Sequence, residues 1–286
     1  MKSGTPTVIV PVHNAPVELE VCLASLYRTL PAETGVLLLD DASDDPRVAS
    51  VLRYWLDLAG PCWRRETLLQ NLGFVGTVNR GMEMTRGNVV LLNSDTVPTP
   101  GWLSGLQLCL ESSPEIATAT PWTNNGEIVS LPAFCQNNPL PIDCDSVARL
   151  VATSGKALYP EIPTAVGFCM AISRRAIDTL GLFDQELFGL GYGEENDFSM
   201  RARIAGMKNV LCDDVYVGHV GGRSFATKGM RGDEAAMGRL LSRHPSYLEL
   251  ISQFIAADPL AERRQELVEA LLQAGISNLW GTGDLG

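Results

Sequence analysis

Three short apolar runs, Val8-Ile9-Val10, Val36-Leu37-Leu38-Leu39 and Val89-Val90-Leu91-Leu92, and a weaker one at Thr67-Leu68-Leu69, show almost no polar alternation. A strand with one wet face alternates, whereas a strand apolar at every position must be covered on both faces. Helical spacing fills the gaps between these runs. Pro16 opens a pattern with Leu19, Leu23, Leu26 and Leu30 on one side, and further helices are expected around residues 48–58 and 75–84. Strand and helix in alternation give a parallel sheet with helices on both faces. Residues 5–95 are therefore expected to form a doubly wound α/β half, Rossmann-like, around a mostly parallel central sheet.

In such sheets a ligand binds in the crevice beyond the carboxyl ends of the strands. The strands end at His13-Asn14, Asp40-Asp41, Asn71 and Asn93-Ser94-Asp95, so polar clusters converge there. Neither G-x-G-x-x-G nor G-x-x-x-x-G-K-[ST] occurs, which leaves a dinucleotide fingerprint and a P-loop unsupported. Carboxylates stand where those folds place glycines. The chain carries 33 acidic against 22 basic residues, a net charge of −11, so a broad surface for nucleic-acid phosphates is excluded. A phosphorylated ligand next to acidic side chains needs an oxygen-ligated cation such as Mg2+ or Mn2+ between them.

The second half is less regular. Loops are expected over residues 122–141, a short helix around 146–154, a strand over 166–172, and a helix beginning at Glu194-Glu195-Asn196-Asp197, where acids favour a first turn. Val210-Leu211 and Val215-Tyr216-Val217 then precede His219. From residue 233 to 274, Leu240, Leu248, Ile251, Ile255, Leu267 and Leu271 recur at helical spacing. Seven cysteines without a C-x-x-C pair are read as small buried hydrophobes in a reducing cytoplasm. No window approaches 18 uninterrupted apolar residues and the N-terminal stretch is too short and polar for a signal peptide, so neither a transmembrane segment nor a leader is expected.

These motifs, in this order, resemble the inverting family 2 glycosyltransferases with the GT-A fold. Thr7-Val8-Ile9-Val10-Pro11-Val12-His13-Asn14 is similar to the family's first strand and V-P-x-[YH]-N turn, and Asp40-Asp41-Ala42-Ser43-Asp44-Asp45 to D-D-x-S-x-D. Asn71-Leu72-Gly73 with Asn79-Arg80-Gly81 resembles the N-x-G elements after the third strand. Asn93-Ser94-Asp95 stands where the family carries D-x-D, with Asn in place of the first acid. Gly167 to Arg175, Phe183-Asp184 and Gly191-Tyr192-Gly193-Glu194-Glu195-Asn196-Asp197 resemble the acceptor-side segment ending in G-x-G-E-[DE]-x-D. The resemblance implies a GT-A domain over residues 1–230, with a nucleotide-binding half over 1–95 and an acceptor half over 96–230. A helical extension over 231–286 would follow.

From the resemblance, Glu195 is the base that removes the acceptor hydroxyl's proton, with Glu194 supporting it and Asp197 orienting a neighbouring donor or the acceptor. A like charge beside Glu195, together with partial burial, would raise its pKa toward neutrality. Pro11, His13, Asn14, Asp40, Asp41, Asn71, Asn79, Asn93, Ser94 and Asp95 are the implied nucleotide-sugar contacts, with either Asp40 or Asp41 reading the base. Asp95 and His219 are the implied ligands of the divalent cation, while Asn93 touches ribose or water. His13 has a structural role as its alternative, and His244 is read as structural. Arg223 and Lys228 are candidates to fold over the diphosphate. Trp122, Asn124 and Asn125 suit stacking and hydrogen bonding to an acceptor glycan.

The implied activity is transfer of a sugar from a nucleoside-diphosphate sugar, uracil or thymine favoured, to a hydroxyl of a glycan or lipid-linked glycan. The setting would be polysaccharide or glycoconjugate synthesis in the cytoplasm, at the inner face of the membrane. The C-terminal helices are expected to pack on the catalytic domain, with docking of a partner protein as the alternative. A sugar nucleotidyltransferase should carry a glycine-rich basic loop after the first strand, and Val12-His13-Asn14-Ala15-Pro16 has neither feature. A module that binds nucleotide or glycan without turnover is the other competing reading, to which Asn93 lends some weight.

Overall fold

The computed structural model describes residues 4–221 and 231–276, which leaves Arg223 and Lys228 outside the described residues. The first half runs β1 (Thr7–Val12), α1 (Pro16–Thr29), β2 (Val36–Asp40), α2 (Pro46–Ala59), β3 (Trp63–Thr67), α3 (Gly73–Glu83) and β4 (Val89–Leu92). Then follow β5 (Thr96–Val97), α4 (Trp102–Ser112), β6 (Ile116–Trp122), a 3-10 turn (Glu127–Val129), α5 (Cys144–Thr153), β7 (Cys169–Ile172), α6 (Arg174–Leu180) and α7 (Gln185–Phe188). The remainder is α8 (Glu194–Ile204), β8 (Lys208–Tyr216), β9 (Gly218–His219), α9 (Arg231–Arg243), α10 (Tyr247–Ala257) and α11 (Ala261–Gln273).

Seven strands form one sheet in the order β3-β2-β1-β4-β7-β6-β8. Four of its six strand pairs are parallel, and only β7 runs against both neighbours. The two apolar faces explain the continuous runs. Val8, Val10 and Val12 join a core with α1, α2, α4 and α5, while Ile9, Leu37 and Leu39 join one with α3, α6 and α8 on the other side. The C-terminal helices contribute to both: Leu240 of α9 and Tyr247 of α10 to the second core, Leu267 and Leu271 of α11 to the first.

The third strand lies earlier than its apolar residues suggest. It spans Trp63–Thr67, with Trp63 buried, whereas Leu69 stands fully in solvent. β3 sits at the sheet edge, and of its residues only Trp63 is buried, so it is not apolar throughout. The segments at Val210-Leu211 and Val215-Tyr216-Val217 form the single long strand β8 with a register shift near its end. Its interruption, Asp213, is wholly buried because it accepts hydrogen bonds from the Leu158 and Tyr159 N–H groups at 3.0 Å.

A second, two-stranded sheet pairs β5 with β9, setting Thr96 opposite His219 and Val97 opposite Gly218. This pairing brings together segments more than a hundred residues apart. Among the described residues no helix is long and apolar enough to cross a membrane.

Candidate active site

The loops at the carboxyl ends of β1, β2 and β3 are tied to one another. Asn14, at φ 58°, accepts the Asp44 and Asp45 N–H groups on Oδ1 at 3.1 and 3.0 Å, and so shapes the turn after β2. His13 Nδ1 lies 3.0 Å from the Asp41 carbonyl, and the Asn71 amide lies 3.3 Å from His13 Nε2. His13, Asn14 and Asn71 therefore line one mouth of the sheet, with Pro11 two residues back in β1.

The two aspartates at the end of β2 have different surroundings. Asp40 uses both carboxylate oxygens, accepting the Ser43 N–H at 3.1 Å and an Arg65 N–H at 2.6 Å. Asp41 accepts the Leu72 N–H at 2.6 Å on Oδ1, and the described residues give its second oxygen no partner. Arg65, from the edge strand β3, is a partner that sequence reasoning missed, because one arginine in Trp63-Arg64-Arg65-Glu66 carries no signal of its direction.

Asn93, Ser94 and Asp95 follow β4. The Asn93 N–H donates to the Phe168 carbonyl at 2.9 Å, and its own carbonyl receives the Thr96 hydroxyl at 2.7 Å, so this turn is fixed against the start of β7. Asp95 is buried, and its Oδ1 lies 3.5 Å from His219 Nε2. His219 Nδ1 is 2.6 Å from the Asn125 carbonyl, which can only accept, so Nδ1 carries the proton and Nε2 is the atom presented to Asp95. Its ring also stacks on Phe168, with centroids 5.2 Å apart. Burial opposes protonation of His219, but the Asp95 carboxylate and the Asn125 carbonyl outweigh it and raise the pKa above 6.5.

The pair has the chemistry of a divalent-cation site: one hard oxygen donor, and one imidazole with its tautomer set by an outer hydrogen bond. No cluster of three or more His, Cys, Asp or Glu side chains able to hold a metal occurs among the described residues. Two protein ligands fit a cation whose other positions are filled by a diphosphate and water.

Glu194 and Glu195 open α8, after the left-handed turn Gly191-Tyr192-Gly193 at φ 141°, 77° and 92°. Glu194 is buried, and among the described residues its Oε2 has no hydrogen-bond partner. Burial first, and the Glu195 charge second, hold its carboxyl well above the usual range. Glu195 is half-buried, with Cδ 3.9 Å from the point a Cβ on Gly167 would occupy. Burial, with the Glu127 charge as the acting like charge, raises Glu195 to about 7. Gly167-Phe168 thus joins the two halves of the site: Gly167 meets Glu195, and Phe168 meets Asn93 and His219.

Four of the sequence candidates have structural roles. Asn79 is buried and pairs with the Phe183 backbone in both directions, at 2.8 and 3.0 Å, so it ties α3 to the segment before α7. Trp122 is wholly buried, its Nε1 donating to the Asp213 carbonyl at 3.3 Å, so it has no face for a sugar. Asn124, also buried, donates to the His219 carbonyl at 2.8 Å and accepts the His219 N–H at 2.9 Å; it positions the His219 strand and does not meet an acceptor. Asp197 has no solvent exposure and accepts from Arg201 at 2.8 Å and Arg243 at 3.1 Å, with His244 Nε2 at 2.8 Å. It anchors α8 to α9, and the buried His244 is structural through it. Asn125 contributes its backbone carbonyl to His219. Phe168 and Glu127, like Arg65, lie at the site without a signal in the sequence; an aromatic in an apolar strand entry and a single loop glutamate stand out from nothing.

The model of the family described as Glycosyl transferase family 2 matches residues 7–181. Among solved structures the chain is similar to GalNAc-T7 with UDP, GalNAc and Mn2+, at 15% identity and TM-score 0.63, covering 89% of this chain and 58% of that one. It is also similar to the mannosyltransferase PcManGT from Pyrobaculum calidifontis in complex with GDP-Man and Mn2+, at 15% identity and TM-score 0.55, covering 98% of this chain and 88% of that one. A third likeness is to S. aureus TarS 1-349, at 17% identity and TM-score 0.54, covering 97% and 81%. At these identities the likeness is one of fold. No curated protein sequence matches the chain.

Proposed function

The chain belongs to glycosyl transferase family 2 and has the GT-A fold, and from that membership we propose that it is an inverting, metal-dependent transferase. It moves a sugar from a nucleoside-diphosphate sugar to a hydroxyl of a glycan or lipid-linked glycan. Structural neighbours hold UDP or GDP-Man together with Mn2+, which supports a nucleotide-sugar donor and a divalent cation. A uracil or thymine donor and a role in cytoplasmic envelope polysaccharide synthesis are carried forward from the motif resemblance.

Glu195 takes the acceptor hydroxyl's proton while that oxygen attacks the anomeric carbon. The bond from that carbon to the diphosphate breaks, and its electron pair leaves with the nucleoside diphosphate. A base near the working pH is partly ionised yet still basic enough to help, which suits Glu195 at about 7. Asp95 and His219 would hold Mn2+ or Mg2+, which when bound supplies Lewis-acid neutralisation of the leaving diphosphate. Asp41, with its uncommitted oxygen, is the better reader of the base, because Asp40 is spent on Ser43 and Arg65. Ser94, beside Asp95, His13, Asn14 and Asn71 complete the donor side.

The observation that carries this reading is the Gly167-Phe168 segment, which sets a carboxylate of raised pKa on one side and the Asp95–His219 pair on the other. The test is release of nucleoside diphosphate from UDP-, dTDP- and GDP-sugars with Mn2+ or Mg2+, repeated with a chelator. Metal-dependent release from one donor, lost in Glu195→Gln, is the expected result. Silence across the panel, with no metal-dependent nucleotide binding, would favour a module that binds without turnover, as Asn93 in place of an acid suggests.

A further inference from the structure

The loop after β6 sets three consecutive residues around the centre of the site. The Asn125 carbonyl receives the His219 Nδ1–H at 2.6 Å. Gly126 packs so tightly that a Cβ there would lie 2.4 Å from Thr123 Cγ2 and 3.5 Å from the Phe168 ring. Glu127 is next, and it is exposed although Gly126 and Ile128 on either side are buried. Its backbone is held at φ 51°, a left-handed conformation that costs a non-glycine residue on the order of 1–2 kcal/mol. The Ser130 and Cys135 N–H groups fix its carbonyl at 3.1 and 3.2 Å, and Cys135 is itself at φ 52°. Burial nonetheless raises the pKa of its own carboxyl, so this side chain is partly withdrawn from water beside the site. Strain that the surrounding structure over-determines concentrates at ligand clamps and active sites.

The Glu127 charge acts on the site. It contributes to raising Glu195 on α8 and, after burial and the Glu195 charge, to raising the Tyr247 phenol on α10. Glu194, on the helix of Glu195, adds a buried Oε2 without a partner among the described residues, an arrangement that costs free energy unless a further group meets it. Among the described residues, the ionisable groups facing Glu195 are thus Glu194 from its own helix, Glu127 from the 3-10 turn and Tyr247 from α10. Gly167 at the entry to β7 adds no charge.

We propose that Glu127 is an acceptor-positioning residue: its carboxylate, on the strained turn beside Phe168, accepts hydrogen bonds from hydroxyls flanking the reacting one and selects an uncharged acceptor sugar. The inference deepens the transferase reading and rests on Glu195 being the base. A polyhydroxylated neutral sugar offers the donors that a carboxylate can accept. A sugar with its own carboxylate or phosphate beside the reacting hydroxyl meets like charge there and is rejected.

The experiment uses the full chain, the donor identified by the release panel, and p-nitrophenyl glycosides as acceptor probes, comparing neutral hexosides with the glucuronide. Glu127→Gln is expected to raise the KM for a neutral acceptor by roughly tenfold, the size of one charge-assisted hydrogen bond. It is also expected to move the acid limb of the pH profile to lower pH, because Glu195 loses a like charge. Glu127→Asp should recover part of both effects. Glu127→Gly, which relieves the positive φ, should raise Tm while still weakening transfer, a combination that a purely structural role would not produce. If none of the glycosides is used, water is the acceptor, and the pH profile of donor hydrolysis gives the decision.

An acid limb that does not move, a neutral-acceptor KM within twofold of the unmodified protein's, or equal use of the glucuronide would overturn the assignment. A Glu195→Gln variant that retains full transfer would instead remove the base assignment. Loss of transfer in that variant beside an unaltered Glu127→Gln removes only the role of Glu127.

Discussion

His244 Nε2 lies 2.8 Å from Asp197 Oδ1 in a fully buried contact that joins the helix carrying Glu195 to the C-terminal helices. Asp197 also receives Arg201 and Arg243, and Arg201 reaches on to the Leu180 and Leu182 carbonyls at 2.7 and 3.0 Å. One carboxylate thus fixes α8 to α9 and to the segment before α7. Removing one partner of a buried charge network costs on the order of 3–5 kcal/mol, because the remaining charges are left uncompensated. Asp197→Ala should lower stability in urea by about that amount, a large share of a typical domain's total. Arg243→Ala, at a half-exposed position, should cost at most about 1 kcal/mol. Equal losses in the two variants would show that Asp197 is not the hub.

Glu195→Gln should retain nucleotide binding and lower the transfer rate by roughly 10²–10⁴-fold, the usual contribution of a positioned base. In the unmodified protein the rate should rise with pH through about 7 and then level, as Glu195 loses its proton. Stability should run the other way. The folded pKa lies above the ordinary 4.5, so between those values the folded state holds more protons than the unfolded chain, and stability falls as pH rises through that window. The Gln variant lacks this dependence, so its Tm relative to the unmodified protein should climb from pH 5 to pH 8. Calorimetry at those two pH values is the check.

His219→Ala and Asp95→Asn should each weaken Mn2+-dependent nucleotide binding by at least the 10–100-fold seen when even an outer-shell partner of a metal ligand is lost. Asn125 contacts His219 through its backbone, so Asn125→Ala should leave that hydrogen bond intact and change metal affinity little. Titration calorimetry of UDP with and without Mn2+ separates the cases. Metal-independent binding in all three variants would remove the cation from the reading.

Much of the fold was legible because burial wrote it into the sequence. Val8-Ile9-Val10, Val36 to Leu39 and Val89 to Leu92 are covered on both faces, and only a two-sided strand reads that way. β3 escaped because only its Trp63 is buried, and Leu68-Leu69 offered an apolar pair that belongs to the loop. The proposed roles of Asp41, Asp95 and Glu195 come from motifs, at the ends of β2 and β4 and at the start of α8. The site was not legible where chain segments meet across space. Nothing local tells that His219 pairs against Thr96, that Arg65 occupies Asp40, or that Trp122 turns inward to Asp213.

The two aspartates after β2 should separate cleanly. Asp40→Asn deprives Arg65 of its counter-charge inside the turn and should lower Tm with modest effect on nucleotide affinity measured below Tm. Asp41→Asn retains an oxygen for the Leu72 N–H, so it should fold normally and lose affinity for the base by about tenfold or more, the size of a charge-assisted hydrogen bond. The reverse pattern, with Asp40→Asn losing affinity at unchanged Tm, would exchange their roles.

Gly73 links the nucleotide side to the base helix. At φ 71°, a Cβ there would lie 2.5 Å from Leu190 Cα and 2.7 Å from its carbonyl oxygen, the same carbonyl that accepts the Phe74 N–H at 3.0 Å. Gly73→Ala must therefore push away the loop that leads into Glu194 and Glu195, in addition to bearing the left-handed backbone strain. Gly60, at φ 78° with nothing within 4 Å of its Cβ position, bears only the strain. Gly60→Ala should cost roughly 1–2 kcal/mol and leave transfer unchanged. Gly73→Ala should cost more and also lower kcat, because a small displacement of a catalytic group is expensive. Equal stability losses and equal kcat in the two variants would mean that the 189–193 loop does not position the base.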